Sequence, residues 1–588
     1  MLRHSFKIAT LLFVLTTGAT AAVPDWVAKS NQNAQLLLDV QARFNPEFAA
    51  RSGLTGYDDK IIDLRADADQ RSRAALRQVQ GEFEKRLSAE TDLRVQQDLQ
   101  IMLHAIALRI EDSELNEKYF LPFTDVGQLE FNGLRALLND QIDAKRRQTA
   151  LIRLKRYAGL ESAGQGTPTP LTELAKQRTQ EHLANTALLG PFKVELEQSL
   201  ANTPRYINGI RELFVKYKIA NAEVALDALE KQLTEYNAWT RSTVLPHARA
   251  DFRLPAEVYA HNLKQVGIDI PPDQLIAAAE LEFAETRNEM RSLAAQLAKE
   301  KGYSSNDYRD VIRELKKKQL GRDAIEPYYK DRIAAIEDII RREHIVTVPN
   351  RPMIMRVASE AESASQPAPH MEPPRLIGNT GERGQFVLPL GVPTGDASST
   401  YDDFTNEAAS WTLTAHEGRP GHELQFSSMV ENGVSLARSI FAFNSVNVEG
   451  WALYAEAEMK PYEPLEGQMI ALQARLQRAA RAFIDPLLNL GRMTPQQAHD
   501  ILAQDVVLSE AMVKQEVDRY TFRSPGQATS YFYGYTRLMQ LRVETEIALG
   551  GKLDRLAYHD FILAQGLLPP DLLRKAVLEV FVPNQLKR

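Results

Sequence analysis

From Asn31 to about Glu343, apolar residues recur three and four apart with charges set between them. That is the period of amphipathic helices and not the two-residue alternation of half-buried strands. The stretches "DLRVQQDLQIMLHAIALRI" and "PDQLIAAAELEFAETRNEMRSLAAQLAKE" show it over several turns each, and no fixed-period repeat underlies them. More than half of the chain is thereby committed to helices, which predicts a mainly α fold. With 588 residues, 44% of them hydrophobic, there is ample material for a core, and long helical chains can form two lobes around one cleft. The expected layout is an N-terminal helical region over 23–250 and a second region over 251–588.

The pattern changes at "HIVTVPNRPMIMRVA", where β-branched and apolar residues bounded by prolines predict short strands. A loop, "SASQPAPHMEPPR", leads to "GERGQFVLPLG", which reads as a turn and another strand. An extended substrate could add to an edge of this small sheet through backbone hydrogen bonds, or the strand could simply pack beside the next helix. Helical pattern resumes at "FTNEAASWTLTAHE" and continues, with interruptions, to the end.

The first residues read as an address. "MLRHSFK" is a positive n-region, "IATLLFVLTTGA" an apolar core, and Ala19-Thr20-Ala21 an A-x-A cleavage site, so residues 1–22 are expected to be a secretory signal peptide. The expected location is the periplasm or the medium. No other apolar run reaches membrane length, so no stable membrane span is expected. A net charge of −7, without a basic tract beyond Lys316-Lys317-Lys318, argues against a nucleic-acid partner. The chain has no cysteine, which rules out disulfides, a thiolate nucleophile, cysteine-ligated zinc and a lipidated N-terminal cysteine. Any transition-metal site must be built from His, Asp and Glu.

One such site is suggested by "TAHEGRPGHELQ". In the H-E-x-x-H zinc motif the histidines are four apart and share a helix face. His416 and His422 are six apart, which on an unbroken helix turns the second imidazole about 120° away from the first. Either this is no metal site or the helix is broken. Pro420 lacks the N–H that would bond to the His416 carbonyl, and Gly421 accepts backbone angles that a helix refuses, so the two extra residues could loop out at that point. A catalytic zinc commonly has three protein ligands, and Glu449 in "NSVNVEGWALYAEAE" is the best third candidate. Glu456 lies seven residues further on, on roughly the same helix face, where it could orient a ligand. Glu417 would act as general base toward a water whose pKa the ion lowers toward about 7. An H-E-x-x-x-x-H string alone arises by chance in roughly 2% of such chains, about 5% if several spacings are allowed. The set of residues therefore carries the proposal, not the string. His104, His182, His247, His261 and His499 are scattered and are given no role, and His559 is read as structural.

These motifs also carry a resemblance. "HEGRPGHELQ" followed by "EGWALYAE" looks like the bacterial family catalogued as domain of unknown function 885, whose members resemble gluzincin-type metallopeptidases. The family pattern is matched at His416, Glu417, Pro420, Gly421, His422 and Gln425, at Glu449 to Ala452, and in "SPGQATSYFYGYTRLMQLR" at Pro525, Gly526, Gln527, Ala528, Ser530, Tyr531 and Gly534. "FNPEFAARSGLTGYDD" and "YHDFILAQGLLPPDLLR" resemble its opening and closing pieces, so the resemblance treats 23–588 as one continuous unit. It gives Tyr531 a possible role as hydrogen-bond donor to an oxyanion; Tyr531, Tyr535 and Arg542 are spaced so that a helix could show at least the first two on one face, and Arg542 is a candidate to support a ligand or touch the substrate. One departure stands out: the family's D-x-G-L-H-like run reads Asp485-Pro486-Leu487-Leu488-Asn489 here, which puts any role of that histidine in doubt.

The expectation is an exported peptidase that binds one Zn²⁺, or another divalent ion, through His416, His422 and Glu449 and hydrolyses short peptides. A preference for short peptides is what the resemblance to helical metallopeptidases implies. Two rivals share the residues: a zinc-dependent hydrolase of a non-peptide amide, and an inactive binding protein with a vestigial metal site.

Overall fold

The computed structural model describes residues 24–162, 167–390 and 401–587; the expected signal peptide lies outside them. The fold is mainly α. Helices begin where the sequence supplies caps: the carboxylates of Asp92, Asp125 and Asp143 accept the N–H of Arg94, Gln128 and Arg146. Such caps satisfy donors that the first turn leaves open.

The amphipathic stripes face three main cores. In the first, Leu37 and Leu38 of the Asp25–Phe44 helix and Leu99, Met102 and Ile106 of the Leu93–Tyr119 helix meet Trp451, Leu541 and Ile562 from far along the chain. Across this junction the buried Asp98 carboxylate accepts from Arg438 Nε at 2.8 Å, Ser30 Oγ at 2.6 Å and Ser435 Oγ at 2.7 Å. The second core packs the Pro272–Lys301 helix against the Leu465–Asn489 helix, with Phe283 edge-on to Phe483 at 5.4 Å. The third gathers Val126, Phe131, Leu154, Ile210 and Leu229 from the N-terminal region. A boundary at 250/251 thus passes through the first core, which takes residues from both sides.

The sheet has three strands in the order β1-β3-β2, with β1 at Ile354–Val357, β2 at His370–Glu372 and β3 at Gln385–Leu388. β1 runs parallel and β2 antiparallel to β3, so that Met355 and Met371 both register with Phe386. The reading of "GQFVLPLG" as an edge for substrate therefore needs correction: β3 is the central strand, and its backbone groups are taken on both sides. Its buried Phe386 and Leu388 pack with Tyr329 and Leu413, which sets the sheet between the Arg322–Arg342 and Ala409–Leu413 helices. Among the described residues no helix is long and apolar enough to cross a membrane.

Candidate metal centre

The helix carrying His416 does break. Ala409–Leu413 continues as a wide π turn over Thr414–Gly418, Arg419 is extended, the Arg419–Pro420 peptide is cis, and a new helix starts at His422 and runs to Asn432. Gly421 is required by close approach: a Cβ there would lie 2.0 Å from the His416 carbonyl oxygen and 2.4 Å from that of Ala415. The break is tied down by buried polar groups. Arg419, 1% exposed, donates to Glu423 and Glu337 at 2.7 Å each and to the Arg351 carbonyl at 2.5 Å, while Trp451 Nε1 donates to the Pro420 carbonyl at 3.0 Å. The two imidazoles consequently come from separate helices and meet with ring centroids 4.7 Å apart.

Glu449 reaches them from the Ser445–Met459 helix, which Asn444 caps by accepting the Asn447 N–H at 2.8 Å. Its Oε2 lies 3.5 Å from His416 Nε2 and 3.2 Å from His422 Nε2, and the three ligand atoms fall within 4.8 Å of one another. The residues fit a divalent ion. Two imidazoles and one carboxylate are a donor set that zinc accepts, and Glu449 Oε2 is buried with no hydrogen-bond donor to it among the described residues. His416 Nδ1 donates to Glu456 Oε1 at 2.6 Å, and Glu456 Oε2 accepts from Thr412 at 2.8 Å. This fixes the tautomer that leaves Nε2 facing Glu449. His422 Nδ1, by contrast, is buried without a hydrogen-bond partner among the described residues.

Charge follows the same geometry. Burial pulls the His416 pKa down, but Glu449 and Glu456 outweigh it and lift the imidazolium to about 9. Burial likewise raises Glu449, and His422 and His416 overcome that to hold its carboxyl well below the usual range. For Glu456, Arg478 and His416 overcome burial in the same sense. Glu417 is buried; its carboxylate lies 3.9 Å from His416 Nε2 and makes no protein hydrogen bond among the described residues.

A glycine pair explains how Tyr531 arrives. The Ser445–Met459 and Ser530–Ala548 helices cross at Gly450 and Gly534, where a Cβ on Gly534 would sit 2.0 Å from the Val446 carbonyl oxygen. Glu449 immediately precedes one glycine and Tyr531 stands three before the other, so the contact that joins the helices also brings both side chains to His416. The Tyr531 ring stacks on the His416 ring at 6.1 Å. Burial raises the Tyr531 pKa and the pull of Arg519 does not cancel it, so the hydroxyl is a proton donor at neutral pH.

Other expectations fall elsewhere. Arg542 is not brought to the triad; it bonds to Tyr454 and Glu546 and lies 3.4 Å from Glu458. Tyr535 packs in the first core. Asn489 donates to Asp485 and to the Tyr520 carbonyl, and Asp485 in turn accepts the Gly526 N–H at 2.9 Å, which anchors the "SPGQA" segment. His559 is structural, held between Tyr454 and the Ile345 carbonyl. The residues not anticipated are Arg478, Arg481 and Arg519, which surround Tyr531. A signal existed for two of them: Arg475, Arg478 and Arg481 recur three apart in an otherwise largely apolar helix.

Among solved structures the chain is similar to a "putative lipoprotein" from Colwellia psychrerythraea, at TM-score 0.76 and 19% identity over 94% of this chain and 99% of that one. It is also similar to a "putative lipoprotein of unknown function" from Shewanella oneidensis, at TM-score 0.66 and 19% identity over 94% and 100% of the two chains. At this identity the likeness is one of fold. No curated protein matches. A family pattern matches residues 46–577, which is most of the chain, and by it the chain belongs to the family described as bacterial protein of unknown function (DUF885).

Proposed function

We propose that the chain is an exported zinc-dependent peptidase acting on short peptides. The observation that supports this most is the convergence of His416, His422 and Glu449 beside Glu417, a buried carboxylate that makes no hydrogen bond among the described residues. His416 and His422 would hold the ion through Nε2 and Glu449 through its carboxylate. Zinc bound there would supply a Lewis acid that polarises the scissile carbonyl and makes water more acidic. Glu456 keeps His416 in register by holding Nδ1–H. Glu417 takes the proton of the attacking water and delivers it to the leaving amine, and the Tyr531 hydroxyl donates to the oxyanion that develops on the carbonyl. A purely structural zinc site has four protein ligands and needs no adjacent base. Export rests on the pattern of the first 22 residues.

The test is mass-spectrometric cleavage of a mixed short-peptide library by the mature chain beside Glu417→Gln at equal zinc loading. Cleavage should fall by about 100-fold or more in the variant. Absence of cleavage by the parent, or equal cleavage by both, would refute the reading.

A further inference from the structure

Positive charge is concentrated on the Tyr531 side of the triad. The guanidinium carbons of Arg481, Arg519 and Arg478 lie 4.5, 5.6 and 5.9 Å from the centroid of the Tyr531 ring. Arg481 has a partner, because it forks onto both oxygens of the buried Glu516 at 2.7 and 2.6 Å. Glu516 also accepts the Tyr520 hydroxyl, so three of its roughly four acceptor sites are used. Arg519 reaches it only at 3.6 Å and, among the described residues, its side chain gives one hydrogen bond, from Nη2 to Tyr531 Oη at 3.3 Å. Arg478 stands 3.6 Å from Glu456, whose two oxygens each already accept a bond, from His416 and from Thr412; Arg478 Nη1 donates to the Ala474 carbonyl at 3.3 Å and to Gln477 Oε1 at 3.2 Å, and its buried Nε has no acceptor among the described residues.

Arg519 and Arg478 thus each stand 3.6 Å from a carboxylate that closer donors already bond, and among the described residues neither has the forked, hydrogen-bonded carboxylate that Arg481 has, so both keep donors that an added anion would satisfy. Each has five donors in a planar fork that suits a carboxylate. The Arg519 side chain is 24% exposed, against 14% or less for Glu417, Glu449 and Glu456, so it is the accessible end of the cluster.

Resting on the peptidase reading, we infer that Arg519 and Arg478 bind the free α-carboxylate of the substrate and that cleavage takes place close to the C-terminus. The ring spacings from His416 to Tyr531 and from Tyr531 to Arg519 cap the reach at about 12 Å, roughly three extended residues. The product released would be one to three residues long. A peptide whose C-terminus is amidated loses the anion that the cluster awaits.

The test is calorimetric binding to folded, zinc-loaded Glu417→Gln chain, which holds peptides uncut. The probes are an acetylated tripeptide without acidic side chains, its C-terminal amide, and an amidated peptide with one glutamate. The free acid should bind about 10- to 100-fold more tightly than its amide, the range for a hydrogen bond to a charged group. Adding Arg519→Met should bring the acid down to the amide, and Arg519→Lys should retain part of the difference. Should Arg519→Met melt early, Arg478→Gln makes the same comparison. Equal binding of acid and amide, no binding of either, or an equal loss for both in Arg519→Met overturns the inference; so does tight binding of the amidated glutamate peptide, which would mean that a side chain is read. The two readings fail separately. A parent enzyme that cuts acid and amide alike leaves the peptidase and removes the carboxylate site. A parent that cuts nothing while binding stays dependent on Arg519 does the reverse.

Discussion

Lowering the pH from 7.5 to 4.5 should weaken the first core through one residue, His559. This imidazole is 1% exposed, its Nδ1 donates to the Ile345 carbonyl at 2.7 Å, and its Nε2 accepts the Tyr454 hydroxyl at 2.8 Å. Both nitrogens are used by the neutral ring, so a second proton has no place. Burial pulls the pKa to about 3, with the Ile345 bond opposing and Arg542 and Arg555 assisting. An unfolded histidine titrates near 6.5, so between these values the unfolded chain binds a proton that the folded chain refuses. Stability is therefore full above pH 6.5 and is lost as pH falls toward 3. The slope is about 1.4 kcal/mol per pH unit and the ceiling, about 3.5 units, is on the order of 5 kcal/mol. Urea unfolding followed by tryptophan fluorescence is the assay, since Trp26, Trp411 and Trp451 belong to or pack on this core. His559→Asn keeps a donor for Ile345 and removes the titration. Its deficit at neutral pH, about 1 kcal/mol for the lost Tyr454 bond, should shrink and then reverse as pH falls. A deficit that stays constant from pH 6.5 to 4.5 would refute the reasoning.

Three further outcomes follow from the packing. Gly534→Val should force the Ser445–Met459 and Ser530–Ala548 helices apart, at about 1–3 kcal/mol of stability as in other overpacked cores, and lower zinc affinity with it; denaturation and chelator competition read both. Glu456→Ala frees the His416 ring and should weaken zinc binding by about 10- to 100-fold, so unchanged affinity in the same competition would show that the Nδ1 bond does not orient the ligand. Asp98→Ala leaves Arg438 buried without its ion pair and should cost about 3–5 kcal/mol in chemical denaturation, whereas a cost under about 1 kcal/mol would mean that the guanidinium finds water.

What the sequence made legible and what it hid have physical causes. The helices were readable because their stripes repeat over many turns, and the break at Pro420-Gly421 because each residue forbids a continuous helix in its own way. Glu449 and Glu456 were readable because a helix converts a spacing of seven into a shared face. The central position of β3 was not, since strand order depends on β1 and β2, which are separate short segments whose pairing no local pattern encodes. The same holds for Arg519 beside Tyr531 and Arg481: its placement follows from how the Leu465–Asn489 helix packs against the turn at Arg519–Arg523, a tertiary contact. Where Arg542 goes depends on the crossing at Gly450 and Gly534, a tertiary contact that brings Tyr531 to the triad and leaves Arg542 with Tyr454.

The central claim is that His416, His422 and Glu449 form a metal centre, and native mass spectrometry of the mature chain titrated with zinc tests it most directly. The account predicts one tightly held zinc per chain, lost in His422→Ala and in Glu449→Ala although both variants remain folded. A parent chain that takes up no zinc, or variants that retain it as the parent does, would contradict the account.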